Sequence, residues 1–327
     1  MKKIILTLFI FLIPVGGASL WYFNKYDTPD YEHRGFFPLP KLKPIWERKI
    51  KTQQDIKIGI ITDTHVHAKR IVRENKADDA PRYLSEKNIK PLNEFNEQMK
   101  IFQPDLIFHL GDIVEGTNDK DFVSIMGIQL VKKELSRVGS PVYLVVGNHD
   151  LRSVTKTQFR ETLNLESENQ IIDQGDYRFI IMDTNFFPDE STSEPGHSSI
   201  GGHIPDHIFT WLEPYLQTDK QVFVFTHQPA LGRGEGIDRV VGNGEHLIEL
   251  LEKYNVKAIF SGHIEFNYFR EKNDVKYYSF TGTKKSLEYP GSFYELIIED
   301  GEMDVKMFYT DLENGGKIEI DFENEFE

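Results

Sequence analysis

From Asp55 onward, short apolar runs alternate with longer amphipathic ones, and this alternation constrains the fold more than any other feature of the chain. The short runs are IKIGIIT (56–62), LIFHL (106–110), VYLVV (142–146), RFIIMD (178–183), VFVFT (222–226) and VKAIFS (256–261). They are rich in β-branched and aromatic residues and apolar at successive positions, as strands buried on both faces are. Between them SEKNIKPLNEFNEQMKIFQ, DFVSIMGIQLVKKELSRVG, PDHIFTWLEPYLQ and GEHLIELLEKYN carry apolar residues at helical spacing. Such alternation predicts an α/β layered domain. Further on, KYYSFT, FYELIIE and DVKMFYT follow without intervening helices, which predicts a second sheet or an antiparallel extension.

The flanks divide the remaining chain. Lys2 and Lys3 precede an apolar stretch over residues 4–23, about the length a helix needs to cross a bilayer. Residues 1–23 therefore read as a signal peptide or an N-terminal membrane anchor. Gly16, Gly17 and Ala18 suit cleavage, while Trp21 and Tyr22 suit an anchor at the interface. Either way the rest of the chain is expected outside the cytoplasm, membrane-anchored or secreted. Residues 24–54 are charged and proline-bearing and read as an extended linker. Residues 55–312 form the predicted domain, and 313–327 read as an acidic, solvated tail.

Strand after strand ends on a side chain that can bind a metal. IGIITDTH delivers Asp63 and His65, LIFHLGD delivers Asp112, YLVVGNHD delivers Asn148, His149 and Asp150, VFVFTH delivers His227, and AIFSGHIE delivers His263 and Glu265. Carboxyl ends of strands in an open α/β sheet lie along one edge, where ligands bind, so five separated segments can converge. The chain has no cysteine, which excludes disulfides, thiolate metal sites and cysteine nucleophiles, so any metal must be held by oxygen and nitrogen. A net charge of -14 argues against nucleic acid as partner, nucleases included, and leaves a small anion possible where a cation supplies local positive charge.

In this order, Asp-x-His, Gly-Asp, Gly-Asn-His-Asp, a lone His and Gly-His-x-Glu resemble the motifs of the calcineurin-like metallophosphoesterase family over residues 56–285 or so. That resemblance implies a four-layer αββα sandwich of two mixed sheets flanked by helices, with a dinuclear metal site at the carboxyl ends of the strands. By position, Asp63, His65 and Asp112 would hold the first ion, Asp112, Asn148, His227 and His263 the second, with Asp112 bridging. His149 would be the catalytic acid or transition-state stabiliser, and Asp150 would hold its imidazolium form by charge pairing. The sequence departs from the pattern at Glu265, where the family has histidine. A carboxylate there can still complete the first site, and it favours harder ions, manganese or iron foremost with magnesium or zinc as alternatives.

The implied activity is hydrolysis of phosphate mono- or diesters by a metal-bridging hydroxide, on a phosphorylated small molecule or a lipid-linked substrate. The alternative is a catalytically reduced binding or scaffold protein of the same fold, and Glu265 is the residue that keeps it open. Arg233, in LGRGEG shortly after His227, is a candidate substrate-binding residue. His67 reads as a loop residue, His109 as a satisfied core histidine, and His197, His203 and His207 as a surface loop before a helix. Glu115 stands where the purple acid phosphatase branch would have a metal-binding tyrosine, which argues against that branch.

Overall fold

A computed structural model describes residues 55–66, 86–116, 121–232, 239–283, 288–299, 301–311 and 316–326. The amino-terminal segment, the linker, His67 and Arg233 lie outside these residues. No helix among the described residues is long and apolar enough to cross a membrane.

Twelve strands pair into two six-stranded sheets. The first contains β1 (Ile56–Ile61), β2 (Leu106–His109), β3 (Val142–Leu144), β10 (Phe293–Glu299), β11 (Glu302–Thr310) and β12 (Lys317–Asp321), in the order β12-β11-β10-β1-β2-β3. The second contains β4 (Gln170–Gln174), β5 (Tyr177–Ile181), β6 (Gln221–Phe225), β7 (Val256–Ser261), β8 (Tyr268–Lys272) and β9 (Val275–Ser279), in the order β4-β5-β6-β7-β9-β8. Both are mixed: β1, β2 and β3 run parallel and so do β5, β6, β7 and β9, while the remaining strands pair antiparallel. The expected four-layer sandwich is the observed architecture.

Side chains of a strand alternate between faces, and both faces are buried here. Ile56, Ile58 and Ile60 of β1, Phe108 of β2, Phe223 and Phe225 of β6 and Phe260 of β7 fill the space between the sheets. Phe108 stacks on Phe225 with ring centroids 4.0 Å apart, and Phe280 on Tyr294 at 3.9 Å. On the outer face of the first sheet, Ile61 and Ile107 pack with Leu92, Phe95 and Met99 of α1 (Glu86–Phe102), Ile128 and Val131 of α2 (Asp121–Leu135) and Phe159 of α3 (Lys156–Leu163). On the second, Ile180, Val224 and Ile259 pack with Ile208 and Leu212 of α4 (Asp206–Leu216) and Leu247 and Leu251 of α5 (Gly244–Lys253). Burial on both faces explains why these strands read as unbroken apolar runs rather than alternating ones.

The acidic tail is a correction. Residues 317–321 form β12 on the edge of the first sheet, and Phe322–Phe326 form a short helix, α6. Phe322 is 0% exposed and packs against Tyr278 and Phe280 of one sheet and Tyr294 of the other. Glu323 accepts from Lys276 Nζ at 2.9 Å and from the Tyr278 hydroxyl. Net acidity concealed the alternation of KIEID and the two phenylalanines that follow. We expect Phe322→Ala to lower unfolding stability by about 3–5 kcal/mol, read as a fall in the urea midpoint at unchanged slope, whereas a solvated tail would leave the midpoint in place.

Candidate metal centre

Every ligand candidate sits where a parallel strand ends, and there the backbone departs from strand geometry. Asp63, His65, Asp112, His263 and Glu265 all have positive φ, between 40° and 72°. Left-handed backbone is uncommon outside glycine, is reached most readily by Asn, Asp and His, and costs roughly 1–3 kcal/mol where the surroundings enforce it. The bend turns i and i+2 side chains, which a strand would hold on one face some distance apart, into a common pocket. Glycines permit the approach: a Cβ on Gly147 would lie 2.1 Å from the Asp112 amide nitrogen, and one on Gly262 would lie 2.4 Å from Asp63 Oδ2.

The five segments meet. Asp63, His65 and Asp112 offer ligand atoms within 4.8 Å of one another, and so do Asp112, His227 and His263. Asp112 belongs to both groups: its Oδ1 lies 3.2 Å from His227 Nε2, and its Oδ2 lies 3.7 Å from His65 Nε2. The Asn148 side-chain oxygen Oδ1 lies 3.1 Å from His227 Nε2. His227 Nδ1 donates to Leu110 O at 2.8 Å, which assigns its proton to that nitrogen and turns the Nε2 lone pair toward the pocket. Thr62 Oγ1 and the His263 amide donate to Asp63 Oδ2, at 2.5 and 3.2 Å.

A divalent cation fits these residues. Asp63 Oδ1 and His263 Nε2 are buried without a hydrogen-bond partner among the described residues, and leaving such groups unmatched costs roughly 1–3 kcal/mol each. Carboxylate oxygen, amide oxygen and imidazole nitrogen are the donors that such an ion takes in the absence of thiolates. The electrostatics agree. Burial opposes an imidazolium at His65, yet the neighbouring carboxylates of Asp63, Glu115 and Glu265 with the charge of Asp112 raise its pKa to about 11. Burial likewise opposes protonation of His227, and Asp112 and Asp63 raise it to about 9. His263 is lowered to about 3 by burial, by His227 and by Arg239. A pocket that holds protons on buried imidazoles attracts positive charge.

Glu265 reaches this pocket, with Oε1 3.1 Å from His65 Nε2 and Oε2 accepting from the Gly282 amide at 3.2 Å. Glu115, read from sequence only as the absence of a tyrosine, is a site residue in its own right. Its Oε2 lies 3.1 Å from His65 Nδ1, and its Oε1 lies 3.4 Å from His149 Nδ1. The available signal was its position three residues past Asp112 at the same strand end. Arg152 was missed altogether: it donates from Nη1 to His149 Nδ1 at 2.7 Å and lies 3.8 Å from Glu115 Oε1.

His149 stands beside the candidate ligands, its amide donating to Asp112 Oδ1 at 2.7 Å and its Nε2 3.9 Å from Asp112 Oδ2. Asp150 does not pair with the His149 ring as expected. Its oxygens instead accept from the amides of Val114 and Gly147, each at 2.9 Å, so it braces the turn that carries Asn148. Burial and the charge of Asp112 raise its pKa to about 7. Neighbours in a tight turn point in different directions, which adjacency in sequence does not reveal. His109 is the satisfied core histidine expected, 3.0 Å from Thr64 Oγ1, accepting from the Gly111 amide, and kept neutral by burial with a pKa of about 3. His197 is exposed and stacks on Phe187, and the exposed His207 lies in the first turn of α4, as in a surface loop ahead of a helix, whereas His203 is half-buried with its amide donating to Thr184 O at 2.9 Å.

Comparison with known proteins bears on the same residues. A probable glycerophosphodiester phosphodiesterase, GpdQ, of Arcobacter nitrofigilis is 28% identical over 218 residues, 62% of this chain and 70% of that protein. Among solved structures, a dimetal phosphatase from Danio rerio superposes with a TM-score of 0.57 at 15% identity, over 82% of this chain and 99% of that one. GAP50, the anchor in the inner membrane complex of Plasmodium, superposes at 0.50 and 15% identity, over 83% and 90%. At such identities these two structures speak for the fold alone. The sequence model of the calcineurin-like phosphoesterases matches residues 56–264, the span that holds all but one of the converging side chains, and the chain belongs to that family.

Proposed function

We propose that this protein is a metal-dependent phosphodiesterase whose centre takes two divalent ions. One observation carries the reading: strand ends of both sheets, with five of the side chains on left-handed backbone, bring carboxylates, imidazoles and one amide into a single buried pocket. Asp63, His65, Asp112 and Glu265 would hold one ion, and Asp112, Asn148, His227 and His263 the other. Bound there, the ions would polarise the phosphoryl oxygens and acidify a water. Three carboxylate oxygen donors beside one imidazole make the first site suit manganese, iron or magnesium over zinc.

The chain's own groups supply the rest. His149 is fixed by its amide bond to Asp112, and because its Nδ1 accepts from Arg152 the ring proton sits on Nε2, which puts a hydrogen-bond donor beside the pocket to stabilise charge developing on the phosphoryl group. Charge favours diesters: Asp63, Asp112, Glu265 and the adjoining Glu115 largely offset two divalent ions, so the site leaves little positive excess for a dianionic monoester. The resemblance to a probable glycerophosphodiester phosphodiesterase supports the same choice. The amino-terminal lysines and apolar run support a protein outside the cytoplasm, tethered or released, acting on a phosphorylated small molecule or lipid-linked substrate.

The test is an assay of protein loaded with manganese, iron, magnesium or zinc on a phosphodiester and on a monoester with the same leaving group. We expect the diester to be cleaved at the higher kcat/KM. His149→Ala should lower kcat by about 10²–10³-fold at retained metal content. A folded protein that takes up two ions and cleaves neither ester would support the scaffold alternative instead. Metal uptake should release protons, because the cation displaces those held on His65 (pKa about 11) and His227 (about 9). Apparent metal affinity should therefore rise as pH increases toward 9, with proton release read by calorimetry in buffers of different ionisation enthalpy.

A further inference from the structure

We infer that Asn185 is a positioning residue that sets the separation of the two halves of the second ion's site, braced by Asp183 and Lys156. The inference rests on the two-ion reading above. Asn148 and Asp112 reach that site from the ends of β3 and β2 in one sheet, whereas His227 and His263 reach it from β6 and β7 in the other. Ligand geometry therefore depends on how the sheets are spaced. Between them lies an aromatic and aliphatic core, whose packing is strong but weakly directional, while a metal site needs its donors placed within about 0.5 Å.

Asn185 bridges the sheets with directional bonds at the place where spacing matters. Its Nδ2 donates to Val146 O at 2.9 Å, two residues before Asn148. Its Oδ1 accepts from Gln228 Nε2 at 2.8 Å, and Gln228 directly follows His227. One amide thus touches the chain beside a candidate ligand of each sheet. Which end of an amide faces which neighbour must itself be enforced, and Asp183 does so: its Oδ1 accepts from Nδ2 at 2.9 Å and from the Asn185 backbone amide at 2.8 Å. Lys156, the first residue of α3, places Nζ 2.5 Å from Asp183 Oδ2 and 3.2 Å from the Phe186 ring centre. Gln228 is oriented in turn, since the Thr184 hydroxyl donates to its Oε1 and the Thr226 hydroxyl to its carbonyl at 2.9 Å. Asp183, Thr184, Asn185, Thr226 and Gln228 are all buried. None of them is a ligand candidate, and the bond that links the group to the first sheet, Asn185 Nδ2 to Val146 O, falls two residues before Asn148.

The full chain and Asn185→Ala are titrated with manganese, with the paramagnetic resonance spectrum recorded at each step. Phe322→Ala, which loosens the fold at a ring packed on Tyr278, Phe280, Tyr294 and Phe326 rather than on any ligand candidate, serves as the stability control. In the unaltered protein two equivalents should bind and give an exchange-coupled spectrum. In Asn185→Ala we expect the second equivalent to weaken by about 10–100-fold, the first to stay within about twofold, and the coupled signal to give way to isolated manganese. Phe322→Ala should keep both equivalents and the coupling. Should Asn185→Ala not fold, Lys156→Met should weaken the second equivalent in the same direction, with Lys156→Arg restoring it. Unchanged second-site affinity and coupling in the folded variant, or equal loss of both equivalents, would overturn the proposal. An unaltered protein that never binds a coupled pair would instead overturn the two-ion reading.

Discussion

Crowding carboxylates into a pocket closed to solvent is the physical problem around which this structure is arranged. Asp63 and Asp112 are buried with carboxylate oxygens within 4.8 Å of one another, and Glu265 and Glu115 stand at the same place with partial exposure. Such a set is tenable only if positive charge is supplied, and imidazoles do part of that work: His65 and His227 are driven to hold protons despite their burial. A divalent ion does the same with greater charge and with the geometry that carboxylate oxygens and imidazole nitrogens satisfy. The oxygens that do not face the pocket are bonded elsewhere, as with Asp63 Oδ2 on Thr62 and His263, and both oxygens of Asp150 on backbone amides.

The rest of the fold serves that arrangement. Parallel strands bring their carboxyl ends to one edge in each sheet, and stacking the sheets face to face brings the two edges together. Aromatic contacts such as Phe108 on Phe225 supply cohesion between sheets, while Leu110–His227, Val146–Asn185 and Tyr294–Thr281 supply directional bonds across the gap. Cohesion makes the sandwich stable; the directional bonds make its separation definite. The division explains why polar groups as well buried as Asn185 and Gln228 lie so near the centre without belonging to it.

Strands buried on both faces were legible because a continuous apolar run bounded by Gly or Asp has few other interpretations, and the long helices were legible from their 3.6-residue spacing. Elements that depend on partners were not. The short helix α3 has little apolar repeat of its own, and β4 (QIIDQ) and β8 (YFREK) are edge strands that mix apolar and charged residues. The tail was misread because its acidic composition outweighed a two-residue alternation, KIEID, that pays only when β11 is beside it. Among site residues, the ligand candidates that end strands meet in one pocket, whereas Glu115 and Arg152 were found only in space and Asp150 proved to face backbone amides.

By itself the sequence determined which residue types end each strand, and therefore which donors can gather at the carboxyl edge, because strand periodicity and burial are local properties of the chain. It could not determine which way each of those side chains turns once the strand is over. That was decided by left-handed backbone at five positions, by glycines that admit close approach, and by hydrogen bonds between sheets whose partners lie far apart in sequence. Direction depends on contacts that exist only when both sheets are packed, and so it belongs to the tertiary structure.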